Sequence, residues 1–382
     1  MLRPLLFLIF SRPFISSLAF PYLDNIYSIL LLFFAAIFIA VKGIPLKKIE
    51  GLRYPLILFC LALSISILFS ADKLNSFREI YKYAGGLAVF IIVISLSPKN
   101  RKYIIATLIL SALVISILAI RQYFFGFKYL MNYVNEQKIT NPFVLDYIAR
   151  RRVYFPFVTP NTLAGYLAFI IPLTLLVKNK AKWAIFLVLL SALLLTKSLG
   201  ALASLFLGMF FYLLLRKDLP AKKFALLTGI GMIFIIVFLL RQASVKEHTL
   251  PVFSLGMRLE YWKDTLQIIQ QYYLTGIGPG NFNLAMSRYA HNSYLQLWAE
   301  MGILGLISFL WLIIAVFKAG IQSLKYSTER NQIACLISAN AVFLMHNFVD
   351  FTFFLPEVSL IWWVVLGLLT HPPSFFYFFL SK

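Results

Sequence analysis

The sequence predicts an all-α integral membrane protein with about twelve transmembrane helices, and three observations carry that reading. Only 13% of its 382 residues are charged and 61% are hydrophobic, whereas soluble domains carry about a quarter charged residues. The apolar residues run in long unbroken stretches of the length a bilayer requires. Basic residues then recur in alternate connections between those stretches. Chain length here counts membrane spans instead of soluble cores.

A hydropathy window of about 19 residues places spans at roughly 4–20, 26–42, 54–70, 80–97, 103–125, 161–177, 181–197, 199–215, 223–240, 294–317, 332–349 and 358–371. The first stretch, MLRPLLFLIFSRPFISSLAF, is interrupted by Arg12 and offers no small-x-small cleavage site, so it is expected to remain as a first span. Between the seventh and eighth spans stands only TKSLG, which requires a tight hairpin turn. The whole chain, 1–382, reads as one polytopic membrane domain. Its parts are a first outer loop at 126–160, central membrane helices at 161–240, a large outer loop at 241–293 and C-terminal membrane helices at 294–382. The two outer segments are expected to contain short amphipathic helices.

Orientation follows from the positive-inside rule. The basic residues of five short connections all fall on one side: Lys42, Lys47, Lys48 and Arg53; Lys99, Arg101 and Lys102; Lys178, Lys180 and Lys182; Arg216, Lys217, Lys222 and Lys223; Lys318, Lys325 and Arg330. That side is cytoplasmic, and with twelve spans both termini join it. The long segments 126–160 and 241–293 then face outward, across the cytoplasmic (inner) membrane. They carry Lys128, Lys138, Arg150, Arg151, Arg152, Arg241, Lys246, Arg258, Lys263 and Arg288. Long loops translocate regardless of charge, so this positive charge fits an anionic ligand outside the cytoplasm or lipid headgroups there.

The net charge of +21 could in principle serve nucleic acid, but no soluble basic domain or base-stacking module is present, so no nucleic-acid partner is expected. All fourteen carboxylates lie in loops or near span ends, unlike the mid-membrane ionisable groups of ion-coupled transporters. Neither an Asp-x-Asp nor a His-x-x-x-His nor a metal-spaced cysteine pair occurs. The expectation is a reaction without metal or cofactor on an anionic, lipid-linked substrate. Cys60 and Cys335 sit in apolar runs and act as small hydrophobes.

Three constellations remain. In RRRVYFPFVTPNTLAGYL (150–167), Pro156 and Pro160 keep the backbone extended and Asn161 or Thr162 can cap the sixth span. Three adjacent arginines cannot all face one way; Arg152, next to the proline-containing turn, is the one expected to meet a ligand. In GMRLEYWKDTLQIIQQYYLTGIGPGNF (256–282), Trp262, Leu266, Ile269 and Tyr273 recur at helical spacing with polar residues between them, an amphipathic surface helix. Arg258 lies one turn before Trp262 on the apolar side, and a guanidinium there suits phosphate through bidentate charge-assisted bonds. The GIGPG that follows reads as a turn; as a phosphate loop it is a weak match.

The third constellation, HNSYLQLWAEMGILGL (291–306), stands at the outer mouth of the tenth span. Asn292, Gln296 and Glu300 form a polar stripe, with His291, Tyr294, Leu295 and Trp298 on an adjacent face. Such a stripe should face a protein-lined cavity. His291 stands at a predicted helix N-terminus, where the dipole and free N–H groups favour an anion. It could act there as a general base.

Taken together, PN-x-L-A-G-Y-L after the arginines, R-L-E-x-W with G-x-G-P-G-N-F, and A-H-N-S-Y-L-Q with a following glutamate resemble the O-antigen ligase and O-antigen polymerase superfamily. The resemblance covers roughly 150–310 and is strongest at HNSYLQLWAE; Thr159 is a departure, where an asparagine is expected before Pro-Asn. It implies a GT-C-like membrane glycosyltransferase that moves a glycan from an undecaprenyl-diphosphate-linked donor to an acceptor hydroxyl, on the periplasmic face, with inversion and without a metal or cofactor. The acceptor would be the lipid A core or another glycan, with membrane lipids around it.

By the same resemblance His291 matches the family histidine, Arg258 its outer-loop arginine, and one of Arg150, Arg151 and Arg152, taken as Arg152, the arginine ahead of Pro-Asn. The two arginines would hold the diphosphate. His291 would take the acceptor's proton or bind phosphate as imidazolium. Asn161, Asn292, Tyr294, Gln296 and Glu300 fall to support or to the acceptor side. Two readings compete with the ligase: a polymerase, which shares these motifs and extends the lipid-linked glycan itself, and more distantly a lipid-linked glycan flippase, whose arginines should line the spans from both leaflets.

Overall fold

The computed structural model describes residues 1–216, 231, 251–326 and 330–370. The predicted span at 223–240, outer-loop residues 241–250 and the basic residues Lys217, Lys222 and Lys223 lie outside the described residues. Among the described residues all regular structure is helical.

Four helical stretches are long and apolar enough to cross a membrane unaided: Pro21–Lys42, Glu50–Leu68, Pro98–Glu136 and Ser293–Leu324. Ala181–Thr196 (α9), Leu199–Leu215 (α10) and Pro356–Thr370 (α14) are apolar but shorter. Helices of 15–17 residues extend about 22–26 Å, less than the roughly 30 Å of hydrocarbon. The predicted hairpin is present: α9 and α10 meet at Lys197, which takes the left-handed conformation with φ 55°.

The first predicted span, 4–20, does not form as one helix. Helix α1, Leu2–Ser11, has 10 residues, only about 15 Å, and gives way to a 3-10 turn at Arg12–Phe14. The physical reason is Arg12 itself. Its side chain is fully buried, ion-paired with Asp24 and 3.7 Å from Glu357, so its position is fixed by partners on α2 (Pro21–Lys42) and α14. Tyr81 donates a second hydrogen bond to Asp24 at 2.8 Å. Two of the carboxylates predicted near span ends, Asp24 and Glu357, are thus buried.

Helix α8, Pro160–Thr174, and α14 are buried along nearly their whole length, as expected of helices that are apolar on every face. Around them stack aromatic rings, with Phe343 parallel to Trp362 at 4.7 Å and Phe90 edge-on to Trp363 at 5.8 Å. Such pairs add roughly 0.5–1.5 kcal/mol each beyond burial.

What positions the face that carries the His291 motif is a break in α12, Ser293–Tyr326, at Gly302, whose backbone is non-helical at φ 67° and ψ −177°. The break leaves the carbonyls of Ala299 and Glu300 without helical donors, and the N–H groups of Ile277 and Gly278 donate to them at 2.9 and 3.0 Å. Ile303 N–H in turn donates to Tyr273 O at 2.9 Å. The glycine loop that ends α11, Pro251–Gln271, is therefore sewn into the gap of α12. A Cβ at Gly302 would stand 2.0 Å from Leu274 O, and one at Gly276 2.3 Å from Glu300 O.

Gly302→Ala should therefore combine a positive-φ penalty with a backbone collision and destabilise by roughly 1–3 kcal/mol. Gly51→Ala, where a Cβ meets nothing within 4 Å, is the control. Thermal unfolding in detergent should show a clear loss for the first and none for the second.

Candidate functional site

Each of the three constellations is held in place by its own backbone contacts. The arginine segment leaves α7, Pro142–Ala149, and docks on the α9–α10 hairpin, where Val153 N–H donates to Leu195 O at 3.2 Å and Lys197 donates to Arg150 O at 2.7 Å. Arg151 has φ 50°, and this left-handed residue turns the three side chains apart. Arg150 pairs with Asp146 at 2.6 Å. Arg151 lies over the Tyr123 ring at 5.2 Å. Arg152 alone turns inward, donating to Thr196 O at 2.9 Å and to Asn161 Oδ1 at 3.0 Å, with its guanidinium 5.3 Å from the Tyr147 ring centre.

Asn161 thus holds Arg152 and does not cap its helix. The cap of α8 is Thr159, whose hydroxyl accepts from Thr162 N–H at 3.2 Å, so the residue that departs from the family pattern has a clear local function. Gln122, in the π-turn Gln122–Gly126, accepts from the N–H groups of Tyr154 and Phe155 at 2.9 and 3.0 Å and fixes the far side of the loop. Single π-turns often mark functional sites.

On α11 the buried face runs through Tyr261, Thr265 and Ile269, while Leu266 and Tyr273 are exposed. The predicted apolar stripe is therefore rotated. The helix turns toward the residues it packs on, which are the glycine loop and the start of α12, and leaves Leu266 and Tyr273 outward. Arg258 nonetheless lies on the inward side, one turn before Tyr261, and Tyr261 stacks on the His291 ring at 5.6 Å.

His291 precedes α12 with φ 52°. Almost every polar neighbour in its motif is engaged. Asn292 caps the helix, accepting from Tyr294 and Leu295 N–H at 3.0 and 3.1 Å. Ser293 donates to Asn347 Oδ1 at 2.6 Å, and its N–H to Asn347 O at 2.9 Å. Tyr294 donates to Leu344 O at 2.9 Å. Gln296 accepts from Ala290 N–H at 3.1 Å and donates to Glu300 Oε1 at 2.9 Å, while Glu300 Oε2 accepts from Gly280 N–H at 3.2 Å. The expectation of free N–H groups at this helix start is therefore corrected: the first-turn donors are already taken. The glycine loop likewise has its N–H groups at 277, 278 and 280 bonded to α12, which removes the phosphate-loop alternative.

The imidazole itself differs. It lies between Tyr261 and Phe351, the latter edge-on at 4.7 Å, and its Nδ1 is buried without a hydrogen bond among the described residues. Burial pushes its pKa down to about 4; Asp350 opposes this and Arg258 adds to it. Arg258 also acts electrostatically on Arg152 and Tyr147. Arg258 on α11 is thus within electrostatic range of both the arginine segment and His291.

Sequence reasoning passed over Asp350 and His346, which sit 3.7 Å apart beside that site. His346 is fully buried over Gly165 of α8, where a Cβ would stand 2.5 Å from the imidazole. The signal was present: HNFVDF at 346–351 repeats the His-Asn pair of 291–292 ahead of an aspartate.

Residues 184–310, a third of the chain, match the family model described as O-antigen ligase. This segment is similar to O-antigen ligases. It includes α9, α10, Arg258, the glycine loop and His291, whereas Arg152, Asn161, His346 and Asp350 lie outside the match. No curated protein matches the chain. The apolar helices together with this similarity indicate a membrane protein, and the similarity supports a ligase- or polymerase-type function.

A histidine whose pKa is depressed on folding favours the folded state less in acid. The unfolded chain, with a value near 6.5, takes up the proton first, so stability falls as pH drops from about 6.5 toward 4. Titration of labelled histidines, assigned by difference with His291→Gln, should give a midpoint near 4 that rises when pyrophosphate is added. A midpoint at or above 6.5 without ligand would contradict a neutral imidazole.

Proposed function

We propose that the protein is an O-antigen ligase-like glycosyltransferase that moves a glycan from undecaprenyl diphosphate to an acceptor hydroxyl, the lipid A core, on the periplasmic face of the inner membrane. The observation that supports this reading is that Arg258 lies within electrostatic range both of the inward-turned Arg152 and of a neutral, partly buried His291 whose Nδ1 has no hydrogen bond among the described residues. The guanidiniums hold the donor's diphosphate and stabilise the charge that grows on it as it departs, a role metal ions take elsewhere, so the reaction needs none. Each charge-assisted hydrogen bond is worth roughly 1.5–3 kcal/mol.

In this reaction the acceptor oxygen bonds to the anomeric carbon, the bond from that carbon to the diphosphate oxygen breaks, and undecaprenyl diphosphate leaves. Displacement from the opposite face inverts the anomeric centre. The hydroxyl proton passes to His291. An imidazole kept neutral is ready to accept it, and the donor's negative charge raises its proton affinity once the site is filled. This supports the base over a standing imidazolium that binds phosphate. Arg152 is placed by Thr196 and Asn161, which sets its fork in a fixed orientation suited to bidentate binding.

The test places purified protein in liposomes with labelled undecaprenyl-diphosphate glycan, with and without lipid A core. Label should move to the core, and His291→Ala should abolish the transfer while keeping the thermal stability. Longer chains remaining on undecaprenyl would make the enzyme a polymerase. Arg258→Lys should lower kcat/KM by about 10²-fold, close to the effect of Arg258→Ala, because charge without the planar fork does not restore paired hydrogen bonds. Equal activity of the lysine variant and the wild type would contradict bidentate binding.

A further inference from the structure

Near the two arginines stands a tyrosine whose hydroxyl has no structural task. Tyr147, on α7, is half-buried and is joined to Arg152 twice: its carbonyl accepts from the Arg152 N–H at 2.9 Å, and its ring lies 5.3 Å from that guanidinium. Its hydroxyl end lies within electrostatic range of Arg258 on α11 as well. We infer that the Tyr147 hydroxyl binds the donor substrate directly, as an uncharged hydrogen-bond donor to an oxygen of the diphosphate. The inference rests on the glycosyltransferase reading and adds to its two guanidiniums a third contact of a different chemical kind.

Four charged groups face the hydroxyl, namely Arg152, Asp350, Asp146 and Arg258, and no hydrogen bond joins it to any of them. The two carboxylates that could take its proton are engaged elsewhere. Asp146 pairs with Arg150 at 2.6 Å, while Asp350 Oδ1 accepts from Phe351 N–H at 2.7 Å and its Oδ2 lies 3.7 Å from His346 Nε2. Arg152 and Arg258 carry donors alone, so neither can accept from a phenol. An anion held by both guanidiniums supplies the missing acceptor.

The state and seating of the phenol suit that role. Burial raises its pKa above the ordinary value even though Arg152 and Arg258 oppose the shift, so the hydroxyl keeps the proton it has to donate. Its ring is also held before any ligand arrives. Arg152 lies over it and the Tyr154 ring stands 6.4 Å away, and the N–H of Tyr154 is in turn held by Gln122. A donor fixed in advance loses little freedom on binding, and a hydrogen bond to an ionised oxygen is stronger than one between neutral groups.

The test separates the ring from the hydroxyl in the full chain. Tyr147→Phe keeps the ring that supports Arg152 and removes only the oxygen, whereas Tyr147→Ala removes both. In liposomes Tyr147→Phe should raise the KM for labelled undecaprenyl-diphosphate glycan about tenfold, the loss of one charge-assisted hydrogen bond, and leave the KM for lipid A core within about twofold. Its thermal unfolding in detergent should match that of the wild type. Calorimetric binding of inorganic pyrophosphate probes the same contact without turnover, and Tyr147→Phe should weaken it about tenfold. The salt dependence of that binding should stay as in the wild type for Tyr147→Phe and flatten for Arg258→Ala, because only the arginine carries charge. Wild-type donor KM and pyrophosphate affinity in Tyr147→Phe, with losses confined to Tyr147→Ala, would make the tyrosine a support for Arg152 and overturn the assignment. A rise in acceptor KM alone would overturn it too. A wild type that transfers no glycan yet binds pyrophosphate through this hydroxyl would sink the glycosyltransferase reading and leave the phosphate contact standing.

Discussion

The outer face of this protein depends on one interrupted helix. Where α12 breaks at Gly302, two backbone carbonyls lose their helical donors, and at the margin of a membrane water cannot be relied on to replace them. The glycine loop supplies the missing N–H groups. In doing so it fixes the end of α11, which brings Arg258 and Tyr261 to His291. It also sets the Gly280 N–H against Glu300. A single requirement for backbone hydrogen bonding therefore positions the residues around His291.

The same economy of partners sorts the charges. Arg12, Asp24 and Glu357 are buried together at the ends of α1, α2 and α14, where they hold helices in register without contributing to the basic site. Such buried ion pairs are weak sources of stability, and registry is their best-attested use. Arg150 is taken by Asp146 and Arg151 by Tyr123. Arg152 instead turns inward to Thr196 and Asn161, within electrostatic range of Arg258 on α11.

Much of this was legible in the sequence. Helix positions followed from apolar run length, and Arg152, Arg258 and His291 stood out because polar groups beside apolar runs need a reason to be there. Helix length was less legible, since Arg12 ends α1 for a partner more than ten residues away that no local pattern announces. The buried face of α11 was misjudged because periodicity ranks Leu266 and Tyr273 as apolar, although an interfacial helix exposes such residues at little cost. His346 and Asp350 were passed over although HNFVDF repeats the His-Asn pair, because the repeat gains meaning only where the end of α13, Arg330–His346, meets the start of α12, a tertiary contact that spacing alone does not reveal.

Within an apolar protein, hydrogen bonds that are made separate framework from function more sharply than polarity does. Asn292, Gln296 and Glu300 looked in sequence like a stripe facing a cavity, yet Asn292 caps α12, Gln296 links Ala290 to Glu300, and Glu300 accepts from the glycine loop, while Ser293 and Tyr294 join the helix to the end of α13. His291 Nδ1, by contrast, is buried without a hydrogen bond among the described residues. Because the first-turn donors of α12 are already consumed, the helix terminus cannot bind an anion through its N–H groups. On the proposed reading that task falls to guanidiniums carried in from two other segments, and the neutral imidazole takes the proton.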